Sequence, residues 1–158
     1  MGAIASRGVR VLNSSVIRGL GIQDDEIDFV AAEEKIELDH QERLYRKDRP
    51  PLDVMNQTVI LIDDGLATGA TMRAAVLALH RQRAARIVVA VPVGSVETCA
   101  EMKAVADEVI CAHTPEPFYA VGQWYADFSQ TGDEEVERLL AEAEMPKGAV
   151  VEYQSAAH

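Results

Sequence analysis

The sequence predicts an α/β domain, a mainly parallel sheet with flanking helices, and three observations carry that expectation. Val59 to Ile62, Ile87 to Val91 and Val109 to Ala112 are apolar runs rich in Val and Ile, long enough for strands and too short for helices. None alternates apolar with polar residues, so both faces are expected to be covered, which is the habit of parallel strands. Between the runs, apolar residues recur at helical spacing, which gives the order strand, helix, strand, helix, strand. A chain of 158 residues is one domain's worth of polypeptide, able to bury roughly two-thirds of its unfolded surface without disulfides.

Taken in order, Ile4-Ala5 and Val9 to Leu12 flank Ser-Arg-Gly and read as a hairpin, after which Asn13 can cap a brief helical turn around Val16 and Leu20. From Asp24 to about Tyr45 runs a charged surface helix with Ile27, Val30, Ala31, Leu38 and Leu44 inward, ended by Arg-Pro-Pro at 49–51. The spacing of Met72, Ala75, Val76 and Leu79 predicts a helix over 70–83 with one buried stripe. Ser95 can cap the next helix, which carries Val96, Cys99, Met102 and Val105. Thr131 and Glu134 have the spacing of a capping box ahead of Val136, Leu139, Leu140 and Ala143. The domain is expected to span 1–144, and 145–158 reads as a tail because it has no periodicity.

Composition narrows the function classes. Asp and Glu outnumber Lys and Arg by 26 to 15, and a net charge of −11 repels a polyphosphate backbone, so no nucleic-acid partner is expected. No run approaches the roughly 18 uncharged apolar residues of a membrane span, so no membrane partner is expected either. Cys99 and Cys111 form no CxxC pair, they read as small core residues, and no signal peptide precedes them, which fits the cytoplasm. His40, His80, His113 and His158 are scattered, so no protein-built metal centre is expected.

The chemistry concentrates in Val59-Ile60-Leu61-Ile62-Asp63-Asp64-Gly65-Leu66-Ala67-Thr68-Gly69-Ala70-Thr71. Ligands of open α/β sheets collect beyond the carboxyl ends of strands, where Asp63 and Asp64 fall. Ala67 to Thr71 then offers backbone N–H groups, two hydroxyls and little bulk at a helix start, which suits a phosphate held without lysine. Two carboxylates facing that phosphate would repel it, so they are expected to accept hydrogen bonds from hydroxyls or to act through a divalent cation. A sugar phosphate satisfies both halves. The segment is neither a Walker A loop, since Ala70 and Thr71 follow Gly69, nor GxGxxG, since its glycines are Gly65 and Gly69. A purely structural reading, an Asp-Asp-Gly turn before a capped helix, stays open on spacing alone.

As a whole, this segment resembles the phosphoribosyl pyrophosphate (PRPP) signature of type I phosphoribosyltransferases: hydrophobic strand, Asp-Asp, two residues, Ala-Thr-Gly-x-Thr. The chain from Met1 to about Leu140 resembles a bacterial group within that family, in Met1-Gly-Ala-Ile-Ala5, in the run 63–75, in Pro115-Glu-Pro-Phe118, in Val121-Gly-Gln-Trp-Tyr125 and in Asp127-Phe-Ser-Gln130. The resemblance implies that Asp63 and Asp64 contact the ribose hydroxyls of PRPP and act in catalysis, and that Ala67, Thr68, Gly69, Ala70 and Thr71 wrap its 5-phosphate. It implies magnesium chelated by the substrate, and a nitrogenous acceptor, of identity unknown, that displaces pyrophosphate. Ala67 stands where hypoxanthine-type relatives carry an aspartate, which argues against that acceptor class.

Two further expectations follow from the resemblance. Trp124 and Phe118, after the last strand, lie where relatives place a hood over the acceptor, so either they stack on its base or Trp124 and Phe128 simply anchor the loop to the core. Relatives usually carry an early strand, an Arg-Gly-Gly type pyrophosphate loop and a second strand ahead of the Met-Gly-Ala-Ile-Ala stretch. No comparable loop occurs here, and Arg7-Gly8 falls in the expected hairpin. The sheet is therefore expected to be reduced, or completed by a second copy in a homodimer. A non-catalytic nucleotide or PRPP sensor, or an oligomerisation module on the same fold, is the alternative.

Overall fold

The structure is a computed structural model, and it describes residues 2–5, 9–12, 14–47 and 52–143. Strands β1 (Gly2–Ala5) and β2 (Val9–Leu12) pair antiparallel, Gly2 opposite Leu12, as the hairpin reading expects. Helices α1 (Ser14–Leu20) and α2 (Asp24–Arg46) follow. Then come β3 (Thr58–Ile62), α3 (Ala70–Arg81), β4 (Arg86–Val93), α4 (Val96–Met102) and β5 (Glu108–His113). A 3-10 turn at Val121–Trp124 and helix α5 (Asp133–Ala143) complete the described chain. Asn13, the prolines at 50–51 and residues 145–158 lie outside the described residues.

Strands β3, β4 and β5 make a three-stranded parallel sheet in that order, with Ile62 beside Ala90 and Val91 beside Cys111. Each crossover is a helix, as parallel pairing demands. Leu66, Met72, Val76, Ile87, Val89, Val91, Cys99 and Met102 form the core between one sheet face and helices α3 and α4. Ser95 caps α4, its hydroxyl accepting the Thr98 N–H at 3.1 Å.

Three expectations need correction. The first concerns the sheet. Both faces of β4 are covered at Ile87, Val88 and Val89, but Ile60 and Ile62 of β3 are 60% and 78% exposed. The reason is topological: among the described residues β3 is an edge strand bonded only to β4, and α3 and α4 pack on the opposite face. The second concerns α3, which buries Ala74 and Ala78 besides Met72 and Val76, whereas Ala75 is only half-buried. These alanines let α3 approach the hairpin closely, so the helix is sandwiched between hairpin and sheet rather than lying on the sheet alone. The third concerns α5, which starts at Asp133, with the Gly132 carbonyl accepting from Glu135 and Val136. That places the helix start one residue past the Thr131 and Glu134 register.

Helix α2 buries Ile27 and Ala31 and half-buries Val30, Leu38 and Leu44. It meets α5 through a Tyr45 hydroxyl donating to Asp133 at 2.7 Å and a Lys47 to Glu137 ion pair at 2.8 Å. Among the described residues no helix is long and apolar enough to cross a membrane.

Candidate active site

Where β3 ends, Asp63 is half-buried and Asp64 exposed. An Asp63 carboxylate oxygen accepts the Asp64 N–H at 2.9 Å, closing a tight turn between the two acids. Burial holds the Asp63 carboxyl above the ordinary carboxylate range, the N–H of Asp64 opposes that shift, and the neighbouring Asp64 charge adds to it. The pair thus offers one carboxylate set into the protein and one facing solvent.

The chain then runs along the end of β4. The Leu66 N–H donates to the Val93 carbonyl at 2.9 Å, and the Ser95 N–H to the Leu66 carbonyl at 3.0 Å, so Leu66 and Gly94 form a parallel bridge that extends the sheet past the acids. Gly65 is required there, because a methyl group on it would lie 2.8 Å from the Val93 carbonyl oxygen and from a Val121 methyl. Leu66 itself is a buried core residue.

Ala67 and Thr68 are exposed, Gly69 and Ala70 half-buried, and Thr71 exposed. Gly69 takes the left-handed conformation, φ 66° and ψ 7°, and its carbonyl accepts the Arg73 N–H at 2.8 Å to open α3. The N–H groups of the first turn have no intrahelical acceptor and lie beside an open, small-residue loop. The five residues singled out for phosphate therefore form one exposed rim, next to the acid pair.

Two fasteners hold this loop from distant parts of the chain. The Tyr125 hydroxyl donates to the Asp64 carbonyl at 2.6 Å, and the Thr98 hydroxyl to the Ala67 carbonyl at 2.6 Å. Both cross long stretches of chain, so local spacing could not reveal them. Thr98 is the one buried polar residue among those described, at 8% exposure.

The aromatic segment divides differently from expectation. Phe118 and Trp124 stack on each other, centroids 6.4 Å apart and planes 18° from parallel. Trp124 is 44% exposed and lines a cavity of about 390 Å³ with Pro92, Val93, His113, Pro115 and Tyr125, at the carboxyl ends of β4 and β5. Phe118 backs Trp124 rather than facing that cavity. Phe128 is half exposed and tilted 42° against Tyr125, so Tyr125, not Trp124, ties this segment to the loop.

Cationic side chains are engaged elsewhere: Arg73 pairs with Glu101 at 3.0 Å, Arg10 with Asp28, and Arg86 with Glu108. Cys99 is buried against Cys111, and burial pushes its thiol up to about 12, with the Cys111 thiol contributing, so it is unreactive. Among the described residues no group of three or more His, Cys, Asp or Glu could hold a metal ion.

Residues 3–125 match the family model described as phosphoribosyl transferase domain. Two Mycobacterium tuberculosis proteins, "Putative phosphoribosyl transferase Rv0571c" of strain H37Rv and its MT0597 counterpart of strain CDC 1551, are 40% identical over 142 residues. That match takes in 90% of this chain and 32% of each relative, so the chain spans about a third of their length. The crystal structure of TT1426 from Thermus thermophilus superposes with a TM-score of 0.70 at 38% identity, covering 89% of this chain and 66% of that one.

Proposed function

The chain belongs to the phosphoribosyl transferase domain family, and from that premise we propose that it binds PRPP, or a nucleoside monophosphate, at Asp63 to Thr71 and transfers the phosphoribosyl group to a nitrogenous acceptor. The observation that carries this reading is the continuity of the acid pair with the left-handed Gly69 loop, one rim at the carboxyl end of β3. Thr68, Gly69, Ala70 and Thr71 hold the 5-phosphate through backbone N–H groups, the Ala67 carbonyl being turned inward. Asp63 and Asp64 accept the ribose hydroxyls and offset positive charge developing on the ring as pyrophosphate leaves.

Magnesium suits this site only in part: Asp63 and Asp64 offer hard oxygens, but two carboxylates do not make a cage, and among the described residues no third ligand joins them. The ion is accordingly substrate-borne, and when bound it neutralises the leaving pyrophosphate. The acceptor enters the cavity beside Trp124, whose exposed face supports stacking on a planar ring. The setting is cytoplasmic. A homodimer completing the sheet along β3 is supported by an edge that is unpaired among the described residues and by the exposed Ile60 and Ile62; a strictly monomeric sedimentation profile at micromolar concentration overturns it.

Calorimetric titration with PRPP and magnesium, beside an Asp63→Asn, Asp64→Asn double variant, tests the assignment. Saturable binding lost in the variant is expected, and no binding by the unsubstituted chain overturns it. A sensor without turnover is the second reading, and it draws on the pairing of Arg73, in the first turn of α3, with Glu101. Release of pyrophosphate in the presence of a base separates the two.

A further inference from the structure

A peptide group is planar and trans, so its carbonyl and the N–H that follows point in opposite directions. Whatever holds the Ala67 carbonyl therefore aims the Thr68 N–H. The Thr98 hydroxyl donates to that carbonyl at 2.6 Å from helix α4, within the fold. Thr98 is over nine-tenths buried, and its own N–H is fixed by the Ser95 hydroxyl at 3.1 Å, so neither its backbone nor its side chain is free to swing. Its methyl group closes the other side of the loop: a Cβ added to Gly69 would lie 2.7 Å from Thr98 Cγ2. One side chain thus acts at both ends of the Ala67-Thr68-Gly69 stretch, by a hydrogen bond at one end and, at the other, by leaving no room for a side chain.

We infer that Thr98 is a positioning residue, whose hydroxyl turns the Ala67 carbonyl inward so that the Thr68 N–H faces the bound phosphate. The inference rests on the phosphate-loop reading above. Without the hydroxyl, the Ala67 carbonyl has no partner in α4 and this peptide gains a second orientation, in which a carbonyl oxygen rather than an N–H meets the anion. That orientation opposes binding twice over, by removing a donor and by adding like partial charge. The hydroxyl is dispensable for packing, because valine has the same branched shape.

The test uses Thr98→Val, which keeps the shape and removes the donor, and Thr98→Ser, which keeps the donor and removes the methyl group. Titrated with ribose 5-phosphate, Thr98→Val is expected to bind about tenfold more weakly, the effect of one hydrogen bond to a charged group, and Thr98→Ser to stay within about threefold of the unsubstituted chain. Equal affinity of Thr98→Val and the unsubstituted chain overturns the inference, as does equal weakening in both variants, which marks a packing role. If the unsubstituted chain binds no ribose 5-phosphate, the phosphate-loop reading is what has failed. The orienting role is then read from the Thr68 amide ¹⁵N shift, which moves in Thr98→Val but not in Thr98→Ser; unchanged shifts in both overturn it. A melting temperature for each variant identifies a chain that has lost its fold, and Tyr125→Phe, which releases the Asp64 carbonyl instead, is expected to leave the Thr68 shift in place.

Discussion

Asp63 is held in a less favourable setting than water would give it. Burial raises its proton affinity in the folded chain, so folding binds that proton more tightly than the unfolded chain does. The resulting contribution favours the fold below the unfolded carboxylate pKa and is lost as pH rises through the folded value. Asp63→Asn keeps an acceptor for the Asp64 N–H but removes the charge, so it is expected to melt higher than the unsubstituted chain near neutral pH. The gap should close as the pH falls into the range where Asp63 is protonated, and melting curves across pH check this. Gly69→Ala should do the opposite, since alanine would be strained at φ 66° and would meet Thr98 Cγ2; a loss above about 1 kcal/mol is expected by denaturant titration. The acids and the small-residue loop were legible in sequence because they are contiguous. Thr98 and Tyr125 were not, since a hydroxyl that donates across tens of residues leaves no local trace.

Among the elements, local signals located the helices, while their packing and, for α5, the register of the helix start were settled by the fold. Ser95 caps α4 as its position implies, and Ser95→Ala is expected to lower stability by about 1 kcal/mol. Spacing also located α3, but periodicity registers one apolar stripe more readily than two, and alanines are ambiguous between interior and surface. Their burial against the hairpin had to come from the tertiary fold. Ala74 is fully buried there, so Ala74→Leu should overpack the layer and cost about 1–3 kcal/mol, measured by denaturant titration. For α5, two registers one residue apart satisfy the same sequence, and the structure takes the one in which Gly132 supplies the first carbonyl.

For the molecule as a whole, the main core lies on one face of the sheet, and on the other face β3 leaves Ile60 and Ile62 exposed. Met102, fully buried beneath the sheet, should cost about 2–5 kcal/mol when cut to alanine. Ile60→Thr with Ile62→Thr should change stability by no more than about 0.5 kcal/mol per site in a chain whose β3 face meets solvent, and chemical denaturation of both variants compares the two faces. The parallel class of the sheet was legible from unalternating Val and Ile runs. Which strand lies at the edge was not, because an apolar run records that a strand can be covered on both faces without recording what covers it.

The bridge between Leu66 and Gly94 is made entirely by main-chain atoms. Such a fastening is indifferent to side-chain identity except where bulk intrudes, as it would at Gly94, where an added methyl would lie 2.7 Å from the Cys99 sulfur. Sequence drift along the last turns of β4 can therefore proceed while the acid pair keeps its address. The first half of the loop takes its frame of reference from the neighbouring strand and from the Tyr125 hydroxyl on the Asp64 carbonyl, and the stretch from Ala67 onward takes it from the helices. Any reshaping of this rim around a different ligand would thus pivot after Leu66, leaving Asp63 and Asp64 as the fixed end of the site.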